Sequence, residues 1–226
     1  MKEVQLQRLK ITLSVKRIFD IVCSLFLLIS FCWLFLLLGI AVKVNSKGPV
    51  FFKQVRIGRN EKEFYIYKFR TMVKDAEKSG KQITVGDDRR ITKVGMTLRK
   101  YKLDEFPQLY NVLKGDMSFV GPRPEVPRYT KLYNEGQRKV FLIRPGITDY
   151  ASIKYRNESR KLSKSRDPEK TYIEEIMADK LVINLQYVEN LSFVIDLKIL
   201  FLTFIHIFKM EDTKHEDSDV RPNRSI

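Results

Sequence analysis

Apolar residues are most concentrated in one run near the start of the chain, Ile21 to Val42, which holds twenty-two residues without a charge. As an α-helix this run would be roughly 33 Å long, close to the bilayer hydrocarbon thickness of about 30 Å. It is too long for a cleavable signal peptide, and no small-residue cleavage site follows it. The pattern therefore predicts a membrane-embedded helix within an N-terminal unit of residues 1–45.

Basic residues flank this run equally, with five Lys or Arg in residues 1–17 and five in residues 43–59. The positive-inside rule orients a crossing helix only where the flanks differ. Equal flanks favour a helix that re-enters the side from which it came, and a simple crossing stays as the alternative. Asp20, beside Lys16 and Arg17, is expected to be a paired interfacial group rather than a buried charge.

A second apolar segment, Leu191–Phe208, is interrupted by Asp196, Lys198 and His206. These polar residues favour a helix that lies in the membrane interface over one that spans it. A core helix packed on the domain is an equal alternative, and different faces of one helix can serve both roles. Residues 209–226 lack apolar periodicity and are predicted to form a charged, disordered tail.

The segments between the two apolar runs have residue patterns that predict regular secondary structure. Pro49–Ile57 and Phe64–Phe69 are rich in β-branched and aromatic residues around a turn, which predicts a β-hairpin. Ile91–Tyr101 is expected to be a basic helix, and Thr171–Val188 has the spacing of an amphipathic helix. The chain is thus predicted to be α+β and predominantly helical, with a compact domain over residues 46–208.

The composition of the chain limits the kinds of partner and catalytic mechanism to consider. Forty-two Lys and Arg against twenty-seven Asp and Glu leave a net charge of +15, which indicates an anionic partner. The two histidines, His206 and His215, lie in an apolar helix and a charged tail, which argues against Ser-His-Asp or Cys-His catalysis. Cys23 and Cys32 lie in the apolar run without metal-site or disulfide spacing. No phosphate-binding glycine motif occurs, so if the chain is an enzyme, its expected catalytic groups are carboxylates, arginines, lysines and a metal ion.

An adjacent acid pair is the most informative feature of the chain. Asp104 and Glu105 precede Pro107, and Gly115 follows, so a helix is expected to start near Glu105–Pro107 and to run through Leu113. Arg123 lies between two prolines that stiffen its backbone. Further basic residues crowd the approach: Arg89, Arg90, Lys93, Arg99, Lys100 and Lys102. Acids among cations suit chemistry on a phosphate with a divalent cation, although a solvated helix end would show similar charges.

Two further positions are weaker candidates. Asp87 and Asp88 share a turn and could bind a metal, but capping of the turn is the favoured role. Arg156 follows a rigid Arg-Pro-Gly loop and is a candidate anion contact, with a surface salt bridge as the alternative.

Seven motifs occur together in one order. They are KRIFD (16–20), SKGPVFF (46–52), YKFRTM (67–72), GDDRRITKVG (86–95), LRKYKLDEFPQLYNVLKGDMSFVGPRP (98–124), RPGIT (144–148) and IDLKIL (195–200). In this order and spacing the chain resembles the bacterial sugar transferases, the monotopic polyprenyl-phosphate phosphoglycosyl transferases. The resemblance runs from about Lys16 to Phe208.

The resemblance implies a reaction. Such enzymes transfer a sugar 1-phosphate from a nucleotide diphosphate sugar, usually a UDP-sugar, to undecaprenyl phosphate. They release UMP, require Mg²⁺ and begin the synthesis of cell-surface glycans. The family nucleophile falls on Asp104, which would form a phosphosugar-aspartyl intermediate. Glu105 would assist with the metal or the proton, and both acids are expected as metal ligands.

The resemblance also assigns binding residues and a location. The expected substrate-binding residues are Lys68, Arg70, Arg99, Arg123 and Arg156, with a structural role as the alternative for Lys68 and Arg70. The catalytic domain would lie on the cytoplasmic face of the inner membrane, against anionic lipids and with interfacial amphipathic helices. The oligomeric state stays open, with a homodimer as one option.

The chain departs from the family pattern at two places. Cys32-Trp33 stands where members usually have Ser-Pro, and that proline breaks the membrane helix for re-entry. Asp149–Ser152 replaces a Gly-Trp-Ala-Gln sequence after the RPGIT loop. An inactive membrane scaffold is the main alternative function. Nucleic-acid binding is disfavoured because no recognition module accompanies the basic residues.

Overall fold

The computed structural model describes the backbone of residues 2–76, 83–85 and 88–208, and the side chains of these residues except 2–6, 8, 207 and 208. The predicted tail of residues 209–226 and Asp87 lie outside the described residues. The α-helices are α1 (Lys2–Ser30), α2 (Cys32–Asn45), α3 (Lys93–Lys100), α4 (Gln108–Lys114), α5 (Pro127–Thr130), α6 (Tyr150–Lys154), α7 (Glu158–Ser163), α8 (Pro168–Thr171), α9 (Ala178–Glu189) and α10 (Phe193–Phe208). The strands are β1 (Phe51–Ile57), β2 (Glu63–Phe69), β3 (Ser118–Val120) and β4 (Gly146–Thr148).

The predicted membrane segment is two helices rather than one. Helices α1 and α2 meet at Phe31 with a bend of 64° between Leu9–Ser30 and Cys32–Asn45. In the described part of the chain, no single helix has the length and hydropathy of a membrane span, whereas this bent pair has both when taken together. The bend forms without a proline. Phe31 and Phe35 pack on Phe106, with ring centroids 6.4 and 6.1 Å away, so the bend rests on the domain that follows.

The expectation for Asp20 was wrong. Asp20 is buried and accepts hydrogen bonds from Ser118 Oγ at 3.1 Å and Phe119 N at 3.0 Å, at the start of β3. Arg17 donates to the carbonyl oxygens of Val112 and Leu113 at the end of α4, at 2.6 and 2.8 Å. The polar residues at the edge of the apolar run therefore bind the domain instead of the membrane interface.

The β-hairpin is confirmed. Strands β1 and β2 pair antiparallel, with Phe51 opposite Phe69 and Ile57 opposite Glu63. Helix α4 packs beside this hairpin, where Asn111 accepts from Tyr67 N at 3.1 Å and donates to the carbonyl of Tyr65 at 2.8 Å. These bonds fix β2, and with it Lys68, relative to the segment that carries the acid pair.

Two short parallel strands join the loops that the prolines stiffen. Ser118 in β3 pairs with Gly146 in β4, and Val120 pairs with Thr148. Past β3 the two loops approach so closely that a Cβ on Gly146 would lie 2.1 Å from the nitrogen of Gly121. Glycine is therefore required at Gly146, and this contact holds the loop of Arg123 against β4.

The predicted amphipathic helix is confirmed and is longer than expected. Helix α8, a π-helical turn at Tyr172–Met177 and α9 follow one another directly. Ile176, Met177 and Leu181 are buried in the largest core cluster, as their spacing predicts. A π turn often marks a place where a helix adjusts to its packing.

Helix α10 packs on the core, as one of its two alternatives expected, and it also has an exposed apolar face. On one face Ile199 is fully buried, and Asp196 forms a buried ion pair with Lys16 at 2.5 Å. On another face Val194, Phe201 and Phe204 are 75%, 64% and 61% exposed. One face therefore packs on α1 and the domain, and the other presents apolar side chains outward.

Candidate active site

A tight turn carries the acid pair. The basic helix α3 ends at Lys100, Lys102 adopts a left-handed conformation with φ of 58°, and Leu103–Glu105 then form one 3₁₀ turn. Phe106 and Pro107 continue in right-handed helical conformation into α4, which ends at Gly115 with φ of 100°. The helix predicted from Pro107 and Gly115 is confirmed.

Glu105 lies at the centre of a cation cluster. Arg123 contacts both of its carboxylate oxygens, with Nη1 at 3.1 Å from Oε2, and Lys68 Nζ lies 2.9 Å from Oε1. Burial alone would raise the pKa of Glu105, but Arg123 and Lys68 outweigh burial and hold that pKa well below its usual range. Glu105 is therefore a fixed anion that binds two cations into one unit.

Asp104 has a different environment. It is 7% exposed, and within the described part of the chain its Oδ1 has no hydrogen-bond partner. Burial raises its pKa, against the attraction of Lys68 and with a further contribution from the charge of Glu105. A buried carboxylate oxygen without a protein partner is costly, so it indicates a position that meets a substrate or a metal ion.

The electrostatics of Glu105 predict a pH-dependent effect for Glu105→Gln. At pH 7 this variant should unfold at a lower temperature than the wild type, because Arg123 and Lys68 lose their carboxylate. The folded-state pKa lies below the ordinary value of about 4.3, so the stabilisation is complete above that value and is lost as the pH falls through the folded-state pKa. The difference in unfolding temperature should therefore shrink below about pH 4. The exposed Glu135→Gln is the control, and a difference that stays constant on acidification would contradict this assignment.

Arg123 is held through its backbone as well as its side chain. Its amide donates to Asp149 Oδ2 at 3.0 Å, and its Nη1 donates to the carbonyl of Ile147 at 3.2 Å. Asp149 is buried and also caps α6 through Ser152 N. In sequence Asp149 stands out only as a departure from the family pattern, and no local signal predicts this supporting role.

A second, partly buried network also supports the loop that carries Arg123. Arg56 in β1 donates to the carbonyl of Pro124 at 2.9 Å and pairs with Glu125 at 3.4 Å. Tyr172, in the π turn, donates its hydroxyl to Glu125. The backbone at Pro124 is thus fixed by tertiary contacts as well as by the stiffness of proline, which is the only part that the sequence predicts.

The other predicted substrate-binding residues separate into two groups. Lys68 lies in the acid cluster, and Arg99 lies beside it, where Nε donates to Thr71 Oγ1 at 2.8 Å. Burial lowers the pKa of Arg99, and the charge of Asp104 partly offsets this effect. Arg156 is half-buried, and its Nη1 donates to the carbonyl of His206 at 2.9 Å in α10.

Arg70 is placed differently. It is buried, and its two terminal nitrogens donate to the carbonyls of Ser46 and Lys47, each at 2.6 Å. Gly48 makes this approach possible, because a Cβ there would lie 1.9 Å from Arg70 Nη1. The geometry favours the structural alternative for Arg70, which fastens the segment after α2 to the hairpin. Asp88, whose carboxylate accepts from Arg90 N at 3.0 Å, has the capping role that was favoured for it.

An apolar cavity adjoins the cluster. It has a volume of about 310 Å³, and its lining includes Leu27 and Phe31 at the helix bend together with Glu105 and Arg123. Arg156 also lines it, whereas Asp104 is not among its lining residues. One cavity therefore connects the bend of the apolar helices to the cation cluster.

The fit of the residues to a divalent cation rests on Asp104. Among residues 2–76, 83–85 and 88–208, no three His, Cys, Asp or Glu side chains form a cluster that could hold a metal ion. Magnesium does not need one, since it commonly uses one or two carboxylates with substrate phosphates and water. The oxygens of Glu105 are engaged by Arg123 and Lys68, whereas Asp104 Oδ1 is unpartnered, so Asp104 fits the role of metal ligand better than Glu105.

Comparison with known proteins places this geometry in a family. The family model described as bacterial sugar transferase matches residues 11–210. The uncharacterized sugar transferase EpsL of Bacillus subtilis is 42% identical over 83% of this chain and 84% of that protein. An undecaprenyl-phosphate glucose phosphotransferase of Komagataeibacter xylinus is 37% identical over 83% of this chain. An undecaprenyl-phosphate N-acetylgalactosaminephosphotransferase of Aeromonas hydrophila is 34% identical over 84% of it.

The last two relatives are longer proteins, and the match covers only 35% and 42% of their respective lengths. The family match nonetheless includes the acid pair, the loop of Arg123 and the bent helices. The chain belongs to the bacterial sugar transferase family.

Proposed function

We propose that this chain transfers a sugar 1-phosphate from a nucleotide diphosphate sugar, a UDP-sugar, to undecaprenyl phosphate and so initiates a cell-surface glycan. The observation that carries the proposal is the pairing of Asp104, buried with one unpartnered oxygen, with the Glu105–Arg123–Lys68 cluster beside an apolar cavity. The names of the glucose and N-acetylgalactosamine phosphotransferases among the relatives support the same reaction class.

Asp104 is the nucleophile in this proposal. One of its carboxylate oxygens attacks the phosphorus bonded to the sugar, and the bond from that phosphorus to the bridging oxygen breaks. UMP leaves with the bridging oxygen and its electron pair. An oxygen of undecaprenyl phosphate then attacks the same phosphorus and displaces Asp104, which regenerates the carboxylate and gives the lipid diphosphate sugar.

The surrounding residues stabilise charge and orient groups. Arg123, Lys68 and Arg99 supply positive charge where the phosphoryl group gains negative charge, and Glu105 fixes the first two of them. A bound Mg²⁺ would add a Lewis acid that neutralises the diphosphate, with Asp104 as its protein ligand. Arg156 would contact the nucleotide or another anionic group that reaches the cavity.

The cavity suits the lipid substrate. Its apolar lining reaches the bend of α1 and α2, and the faces of these helices expose apolar residues such as Phe26, Ile29 and Leu36. A lipid in the bilayer could therefore place its phosphate near Arg123 while its chain stays in apolar surroundings. The outward face of α10 would lie in the interface beside it.

The bent helix pair would re-enter the cytoplasmic side of the inner membrane. With Cys23 and Cys32 replaced by alanine, single cysteines in Lys10→Cys and Lys47→Cys are expected to resist a membrane-impermeant maleimide in intact cells and to react after lysis. Each variant changes one lysine in the same cysteine-free background and leaves the other flank unchanged. Each variant is therefore the control for the other. Reaction of one cysteine from outside and the other only from inside would contradict re-entry.

The reaction itself is tested by UMP release from the full chain in lipid nanodiscs with Mg²⁺ and a panel of UDP-sugars. Release that depends on undecaprenyl phosphate and on one sugar would support the proposal and identify the donor. Folded protein that releases no UMP with any nucleotide sugar would overturn it and favour an inactive scaffold of a glycan assembly complex.

A further inference from the structure

One buried side chain next to the acid pair makes no hydrogen bond through its polar atoms within the described residues. Gln108, at the start of α4, is 0% exposed, and both its amide oxygen and its amide nitrogen lack a hydrogen-bond partner in the described part of the chain. Asn111, one turn further along, is also fully buried, but its amide is bonded to Tyr65 and Tyr67 of β2. Gln108 is therefore not an ordinary structural amide of this helix.

Gln108 lies close to Asp104 along the chain. Gln108 follows Asp104 by four residues, and the 3₁₀ turn at Leu103–Glu105 continues through the right-handed helical Phe106 and Pro107, so both buried residues lie within about one helical turn of each other. They do not bond to each other, because Asp104 Oδ1 and both Gln108 atoms are unpartnered. A buried amide and a buried carboxylate oxygen without partners are costly to maintain, which indicates a third group that meets both.

We propose that Gln108 is a ligand of the divalent cation, with its amide oxygen joining Asp104 Oδ1. This inference rests on the proposed function, and it names a residue of the same site. A buried carboxylate oxygen and a buried amide oxygen within one turn of each other suit a cation better than a phosphate, which would bring more negative charge. Carboxylate and amide oxygens are ligands that hard divalent cations prefer, and Glu105 is already engaged by Arg123 and Lys68.

Metal binding is the direct test, and it does not require turnover. The full chain in nanodiscs is titrated with Mn²⁺ and followed by electron paramagnetic resonance. Gln108→Met, similar in length but without a hard ligand, should weaken Mn²⁺ binding by about 10-fold or more. Gln108→Glu keeps an oxygen and loses the amide N–H, so it should bind Mn²⁺ at least as tightly as the wild type. Unchanged affinity in Gln108→Met, or wild-type binding no tighter than in Asp104→Asn, would overturn the inference.

Unfolding temperatures measured without metal distinguish a metal-ligand role of Gln108 from a role in supporting the fold. Since the amide of Gln108 has no protein partner to lose, Gln108→Met should unfold at the same temperature as the wild type or higher by about 2–4 °C. Asn111→Leu is the matched control and should unfold at a lower temperature, because it removes bonds to β2. A comparable fall in Gln108→Met would show an internal structural role and contradict the proposal.

UMP release from the same samples distinguishes the two proposals. A wild type that transfers sugar phosphate, combined with full Mn²⁺ affinity in Gln108→Met, would overturn the ligand role and leave the proposed function intact. A wild type that binds Mn²⁺ through Gln108 but never releases UMP would overturn the proposed function and leave the cation site.

Discussion

Replacing Asp104 by asparagine is expected to reduce UMP release by at least about 10⁴-fold, the scale on which loss of a catalytic nucleophile or its equivalent acts. The amide oxygen has nearly the same shape but carries no negative charge, so it does not form the acyl phosphate. The fold should be retained, because Asp104 Oδ1 makes no hydrogen bond within the described structure. The measurement is UMP release by both proteins in nanodiscs with the preferred UDP-sugar, together with their unfolding temperatures.

Asp179→Asn is the matched control for this variant. It makes the same chemical change at an exposed ion pair with Lys154 at 2.6 Å, and surface pairs of this kind contribute only about 0–1 kcal/mol. Its rate should therefore stay close to that of the wild type. A folded Asp104→Asn protein that releases UMP as fast as this control would contradict the role of Asp104 as nucleophile.

Replacing Arg123 by methionine is expected to affect both catalysis and stability. The rate should fall by about 10²–10³-fold, as it does when one preorganised donor to a transition state is removed. The free energy of unfolding at pH 7 should fall by about 2–3 kcal/mol, because Glu105 keeps its buried charge with fewer partners. This is less than the full penalty for a broken buried pair, since Lys68 remains and the Arg123 side chain is 35% exposed.

A second variant separates the two effects of Arg123. In Arg123→Met with Glu105→Gln, the uncompensated charge is gone, so most of the lost stability should return while the rate stays low. Chemical unfolding and UMP release of the same preparations give both values. Recovery of the rate together with the stability would show that Arg123 acts only by neutralising Glu105, contrary to its proposed contact with the phosphoryl group.

The local elements were predictable because their signals are local. Alternating apolar residues predicted the β-hairpin, and Pro107 with Gly115 bounded α4 through backbone preferences alone. The spacing of Ile176, Met177 and Leu181 predicted the buried face that the core cluster contains. Each of these signals depends on neighbours within a few residues, so no knowledge of the tertiary structure was needed.

The arrangement of the site was not predictable in the same way, because it depends on long-range contacts that no local sequence signal encodes. Asp20 was expected at a membrane interface, but its partners at Ser118 and Phe119 are 98 and 99 residues away in sequence. Arg70 belongs to a motif that resembles the family's, yet only the structure shows that backbone carbonyls occupy its terminal nitrogens. Gln108 passed unnoticed because a buried amide is recognised as unpartnered only when its surroundings are known.

The covalent step is the central claim, and mass spectrometry of the intact protein and of its digested peptides tests it most directly. The full chain in nanodiscs is mixed with the preferred UDP-sugar and Mg²⁺ in the absence of undecaprenyl phosphate, and UMP is quantified in parallel. The proposed mechanism predicts up to one UMP per chain, a mass increase of one sugar phosphate located on the peptide that contains Asp104, and loss of this mass when undecaprenyl phosphate is added. UMP that appears only with the lipid, with no adduct at any time, would contradict the mechanism and indicate direct transfer between the two substrates.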